Sequence, residues 1–143
     1  MIHLKNFKEG FGQNLDEQEL REFCEMYLAF LMDDGFEVDI SKIRENSITD
    51  YWRVKIYRLI KIGHINKYDK FSWNSVKDKF IPFFKMLNNN YIIKTNYGYQ
   101  VKFQSINGTA IWAADDNILN DDFSKNFKKS PLYYIEINLY SEK

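Results

Sequence analysis

YWRVKIYRLI, residues 51–60, places Trp52, Val54 and Ile56 on one side of an extended chain and Arg53, Lys55 and Tyr57 on the other. Successive strand side chains point to opposite faces, so this period-two pattern predicts a half-buried strand. Its apolar face needs a cover, and its cationic, aromatic face meets solvent or a partner. Such two-faced strands belong to antiparallel sheets covered on one side only.

The flanking segments supply the cover. Upstream, Leu15, Leu20, Phe23, Tyr27, Phe30 and Leu31 recur at three- and four-residue spacing, predicting a helix through Asp33, capped by Asn14 or Asp16. Gly35 stands where that helix must stop, and Phe36, Val38 and Ile40 then alternate as a strand. Downstream, KIGHINKYDK (61–70) reads as a loop, since Gly, Asn and Asp break the periodicity. Ser72 or Asn74 caps a second helix to about Asn89, striped by Val76, Phe80, Phe83, Phe84 and Leu87, with Pro82 marking a kink or a late start. Tyr91–Lys94 and Tyr99–Phe103 read as strands around the turn TNYG, and another strand over Thr109–Ala113 follows Asn107-Gly108. Residues 115–129 are polar, a short helix or long loop anchored by Ile118, Leu119, Phe123 and Phe127. Tyr133–Tyr140 alternates as an edge or central strand, and Ile2, Leu4 and Phe7 mark a short opening strand.

In order, these elements predict one α+β domain over residues 1–143: two helices on one face of a mainly antiparallel sheet. The order is ferredoxin-like, β-α-β-β-α-β, with extra C-terminal strands. EFCEMYLAFLMDDGFEVDI with WRVKIYRL resembles KDKFIPFFKMLNNNYIIKT with YQVKFQSI in pattern, which allows an internal α-β-β duplication. The fold class hosts many unrelated functions and assigns none.

Composition bounds the rest. With 143 residues, 45% hydrophobic and 28% charged, the chain can bury its own core and is not of the disordered type. The single cysteine, Cys24, excludes an intrachain disulfide and reads as a small core residue. No apolar run is long enough to span a bilayer and the N-terminus lacks a signal-peptide pattern, so a cytoplasmic location without membrane partners is expected. Abundant Asn, Lys, Ile, Tyr, Phe and Asp with scarce Pro and Ala is the bias of AT-rich coding sequence, as in low-GC bacteria or their phages.

Net charge is zero, yet Glu9–Asp50 holds 12 acidic and 3 basic residues whereas Tyr51–Lys102 holds 11 basic and 2 acidic. Attraction between neighbouring elements of one fold explains this asymmetry; head-to-tail self-association or a charged partner would use it equally well. Arg53, Lys55, Arg58, Lys61, Lys67 and Lys70 around Tyr57, His64 and Tyr68 combine cations with stacking rings, as in sequence-tolerant single-strand binders. Nucleic-acid binding is therefore the second reading, although no helix-turn-helix or RNA-recognition signature is present.

The chemistry-bearing residues are sparse. His3, His64 and Cys24 lack metal-ligand spacing, and the six glycines form no phosphate-cradling motif, so no metal or cofactor is expected. A metal-dependent hydrolase or nuclease, the third reading, would draw on Glu37 and Asp39, Lys42 near them, and the pairs Asp115-Asp116 and Asp121-Asp122. Aromatics form 17% of the chain, more than one core stripe accommodates. Trp73, Tyr97, Tyr99, Trp112, Tyr134 and Tyr140 are the surplus rings, which suit a protein interface. A Tyr134–Tyr140 edge would itself need covering. The favoured expectation is accordingly a non-enzymatic protein-binding or assembly role, with self-association its simplest form. Its predicted contact residues are Arg53, Lys55, Tyr57, Arg58, Lys61, Trp112, Tyr134 and Tyr140.

Overall fold

The computed structural model describes residues 17–44, 50–88, 99–108, 110–114 and 131–140. Its elements in chain order are α1 (Glu17–Asp33), β1 (Phe36–Arg44), β2 (Asp50–Ile62), β3 (Ile65–Tyr68), β4 (Phe71–Ser72), α2 (Trp73–Met86), β5 (Tyr99–Ser105), β6 (Ala110–Ala114) and β7 (Pro131–Tyr140). The expected strands at Ile2–Phe7 and Tyr91–Lys94, the cap of α1, and residues 115–129 lie outside the described residues. The α+β class holds, with two helices and a mainly antiparallel sheet of 7 strands.

Helix α1 ends where its sequence says it should. Asp34 and Gly35 donate back to Leu31 O and Met32 O, both at 3.0 Å, and Gly35 takes φ +91°, a conformation a side chain disfavours. The chain then reverses into β1. Ser72 caps α2, its Oγ accepting from Ser75 N at 3.3 Å. That helix is continuous through Pro82, which is exposed, so the carbonyl it leaves without an intrahelical donor lies on the solvent side.

The sheet runs β1-β2-β7-β5-β6, with β3 paired to the far end of β2 and β4 to β7, and all described pairings are antiparallel. Of the two places expected for it, edge or centre, the last described strand thus takes the centre, and its Tyr134–Tyr140 edges are covered by β2 and β5 of its own fold. β2 and β5, the segments whose patterns match, occupy equivalent places on either side of β7. Their outer neighbours differ in chain order: β1 precedes β2, whereas β6 follows β5.

One face of this sheet forms the core. Trp52, Val54 and Ile56 of β2, Tyr99, Val101 and Phe103 of β5, and Leu132, Ile135, Ile137 and Leu139 of β7 are buried with Leu20, Phe23, Cys24, Leu28 and Leu31 of α1. Helix α2 adds Trp73, Val76, Phe80, Phe83 and Phe84. Rings bridge the layers: Phe23 meets Phe83 at 5.2 Å between the helices, and Trp73 meets Phe103 edge-on at 5.1 Å between α2 and the sheet. Trp73 and Tyr99, counted above as surplus, belong to this core. Cys24 sits in it too, and burial pushes its thiol well above the usual range, leaving it protonated and inert.

The segment expected to be a loop is instead an arm. Strand β2 continues beyond the main sheet to Ile62, turns through Gly63-His64, and returns as β3 with Ile62 opposite Ile65 and Leu59 opposite Tyr68. A two-residue hairpin loop needs positive φ at its first central position, and Gly63 supplies φ +66°. The Gly that breaks the periodicity therefore makes the turn rather than a loop.

Candidate functional site

Register carries the alternation of YWRVKIYRLI across the sheet to build the face away from the helices. One row reads Asp39, Lys55, Glu136, Lys102, Trp112 across β1, β2, β7, β5 and β6; the next reads Glu37, Tyr57, Tyr134, Gln104, Ala110. Arg53 and Asn138 lie in a third row, and Tyr51 pairs with Tyr140 at the end. Strand β7 keeps both of its faces in register through an irregularity opposite Gln104 and Ser105, which leaves Tyr133 as an extra residue between Leu132 and Tyr134. Leu132 and Ile135 thereby both stay in the core although three residues separate them.

The charges on this face take three kinds of partner: a charge, a phenol or a ring. Glu136, buried, lies 3.6 Å from Arg53, which also donates to Tyr51 Oη at 3.1 Å and Asn138 Oδ1 at 3.4 Å. Tyr57 donates to Asp39, and this hydrogen bond, with burial, raises its phenol above the ordinary tyrosine range. Lys55 reaches into a group of rings: its Nζ donates to Tyr68 Oη at 2.6 Å and stands 4.3 Å from the Tyr134 centroid, 5.0 Å from Tyr68 and 5.8 Å from Tyr57. Lys102 lies between Trp112 at 5.7 Å and Tyr134 at 5.8 Å. Trp112, at the outer rim of the face, is 53% exposed.

Six of the eight predicted contact residues come together here: Arg53, Lys55, Tyr57, Trp112, Tyr134 and Tyr140, the last packed on Tyr51 at 5.0 Å. Lys61 lies on the arm. Arg58 falls on the helix side, opposite Phe36 in register, its guanidinium 4.8 Å from the Phe36 ring and Nε 2.7 Å from Asp69 Oδ2, an ion pair too bent to be a hydrogen bond. Two features went unread in the sequence. One is the cleft between arm and face, about 620 Å³, lined by Asp39, Lys55, Tyr57, Leu59, Asn66, Lys67, Tyr68 and Tyr133. The other is the outer side of the arm, where Ile60, Ile62 and Ile65 stand exposed, the last two at 54% and 60%.

Glu37 and Asp39 share the open face as expected, while Asp115, Asp116, Asp121, Asp122, His3 and Tyr97 lie outside the described residues. Among the described residues no three of His, Cys, Asp and Glu cluster, and no helix is long and apolar enough to cross a membrane. The described residues form an α+β fold with a projecting hairpin and an aromatic and ionic sheet face that neither described helix covers. No protein-family model, curated protein or solved structure matches the chain, so the site is interpreted from its own geometry.

Proposed function

We propose that the chain is a non-enzymatic protein-binding and assembly module that associates head to tail, the arm of one copy docking on helix α1 of the next. The observation that carries this reading is the apolar outer side of the arm. Ile60 and Ile62 continue the core-facing parity of Ile56 past the end of the packed layer, where no described element covers them. Exposed aliphatic residues grouped on a projecting hairpin are the mark of an interaction surface.

Charge chooses the occupant. The arm carries Lys61 and Lys67, with Lys70 just beyond it, and only Asp69, already paired with Arg58, opposes them. Helix α1 offers the complement: Phe30 is 71% exposed, with Asp33 one turn on from it and Glu22 two turns before it. Two different patches of one molecule then meet, a heterologous contact that builds rings or filaments.

Size-exclusion chromatography with light scattering at low and high salt tests this. Wild type is expected to exceed monomer mass and to dissociate as salt screens the charges. Ile62→Asp and Phe30→Asp should each be monomeric alone, yet a one-to-one mixture of the two should form a heterodimer, because each retains the patch the other lacks. A wild-type monomer at high concentration, or no dimer in the mixture, sinks the proposal.

A further inference from the structure

The cleft lies on the other side of the arm, where Leu59 pairs with Tyr68 and Lys61 with Asn66, so it is independent of the proposed assembly surface. We propose that this cleft binds a nucleoside phosphate, its base stacked on the tyrosine wall and its phosphate drawn to Lys55.

Three observations converge on that chemistry. The first is size: about 620 Å³ falls within the roughly 300–1,000 Å³ of small-molecule sites. The second is the state of Lys55. Its two cross-strand neighbours are carboxylates, but Asp39 accepts from Tyr57 and Glu136 pairs with Arg53, so the ammonium faces uncharged phenols and ring faces instead. A cation whose protein partners are rings and one hydroxyl, in the lining of a cleft, retains its attraction for an anion. Lys67 stands opposite Ile60 and so on the other side of the arm, which leaves Lys55 as the cation of the cleft, and Asp39 is the one acid among the described lining residues.

The third is the wall. Tyr68 contacts Tyr133 at 6.0 Å and Tyr57 edge-on at 5.6 Å, a surface of phenol rings held in place by packing. Planar bases stack on such rings with little regard to sequence. Asp39 uses one oxygen for Tyr57, and a carboxylate has about four acceptor positions, so it can also take an N–H from the edge of a stacked base. Ring, anion and donating edge occur together in a nucleotide, either free or as one unit of a single strand.

Calorimetric titration of the full chain with AMP, CMP and a single-stranded decanucleotide tests the site and separates the two sources. Binding of mononucleotides comparable to the strand assigns a free nucleotide; binding of the strand alone assigns a nucleic-acid unit, with affinity falling steeply as salt rises. In either case Lys55→Met and Tyr68→Ala should weaken binding at least tenfold. Lys67→Ala and Ile62→Asp, both on the other side of the arm, should leave it nearly unchanged. No binding of any of the three at millimolar concentration, or equal binding by wild type, Lys55→Met and Tyr68→Ala, overturns the proposal. Loss of assembly with binding intact would instead count against the head-to-tail contact alone.

Discussion

Tyr57 donates its phenolic proton to Asp39 on the neighbouring strand, and the acceptor's negative charge opposes loss of that proton. Its folded pKa therefore lies above the unfolded value of about 10. A group raised on folding contributes stability that is whole below the unfolded pKa and is lost as pH rises through the folded one. Denaturation of Tyr57→Phe against wild type should thus show a stability deficit at pH 8 that shrinks toward strongly alkaline pH. In Asp39→Asn, ultraviolet titration should show one phenol ionising earlier than in wild type. At this scale the sequence was legible wherever strict alternation ruled. It placed Arg53, Lys55 and Tyr57 on one face, and the register brought Tyr134, Tyr140 and Trp112 to them. Arg58 is the informative failure, for its even position sends it to the helix side, where its chain packs over Phe36 and its charge meets Asp69. Charge type had grouped it with its neighbours; parity separates it from them.

The arm shows what element-level pattern can and cannot reveal. Gly63 and His64 interrupt the alternation of β2, which argues for a loop as readily as for a turn. Only the pairing of Ile62 with Ile65 distinguishes them, and that is a property of two strands together. Gly63 and Gly35 both hold positive φ, and in neither does an added Cβ meet a close obstacle: nothing lies within 4 Å at Gly63, and Arg58 Cδ stands 3.6 Å away at Gly35. Replacement by alanine then costs mainly the left-handed conformation, roughly 1–2 kcal/mol at either site. The consequences should differ. Gly63→Ala acts on a peripheral hairpin, so hydrogen exchange should speed up over residues 60–67 while the global denaturation midpoint barely moves. Gly35→Ala acts at the exposed joint between α1 and β1, whose flanking Leu31 and Phe36 are buried in the core, and should lower global stability by about that amount in chemical denaturation. Equal global losses in both would mean that the arm unfolds with the core.

Across the whole molecule, the fold brings the acidic and basic stretches of the sequence side by side. β1, from the acidic stretch, lies against β2, from the basic one, and Asp34 of the α1 end pairs with Lys79 of α2. What remains uncompensated is local, on the arm and on the outer side of α1, and net charge could not reveal it. Equally hidden was the place of β7. Its alternation marks a strand, but only topology makes the last strand the seam between β2 and β5, joined to each over seven residue pairs. Leu132, Ile135, Ile137 and Leu139 are all fully buried on it. At about 1.5–3 kcal/mol for each such side chain, removing the strand forfeits on the order of 6–12 kcal/mol of burial before any ladder hydrogen bond is counted. Whole-domain stability is about 5–15 kcal/mol, so the remainder has little margin left. A fragment of residues 1–129 should therefore lack a cooperative unfolding transition and dispersed amide resonances. Adding a peptide of residues 130–143 should restore both, since a central slot flanked by β2 and β5 accepts one strand in one register. A fragment that folds unaided would show that the two halves are separate units, with β7 a connector rather than the seam.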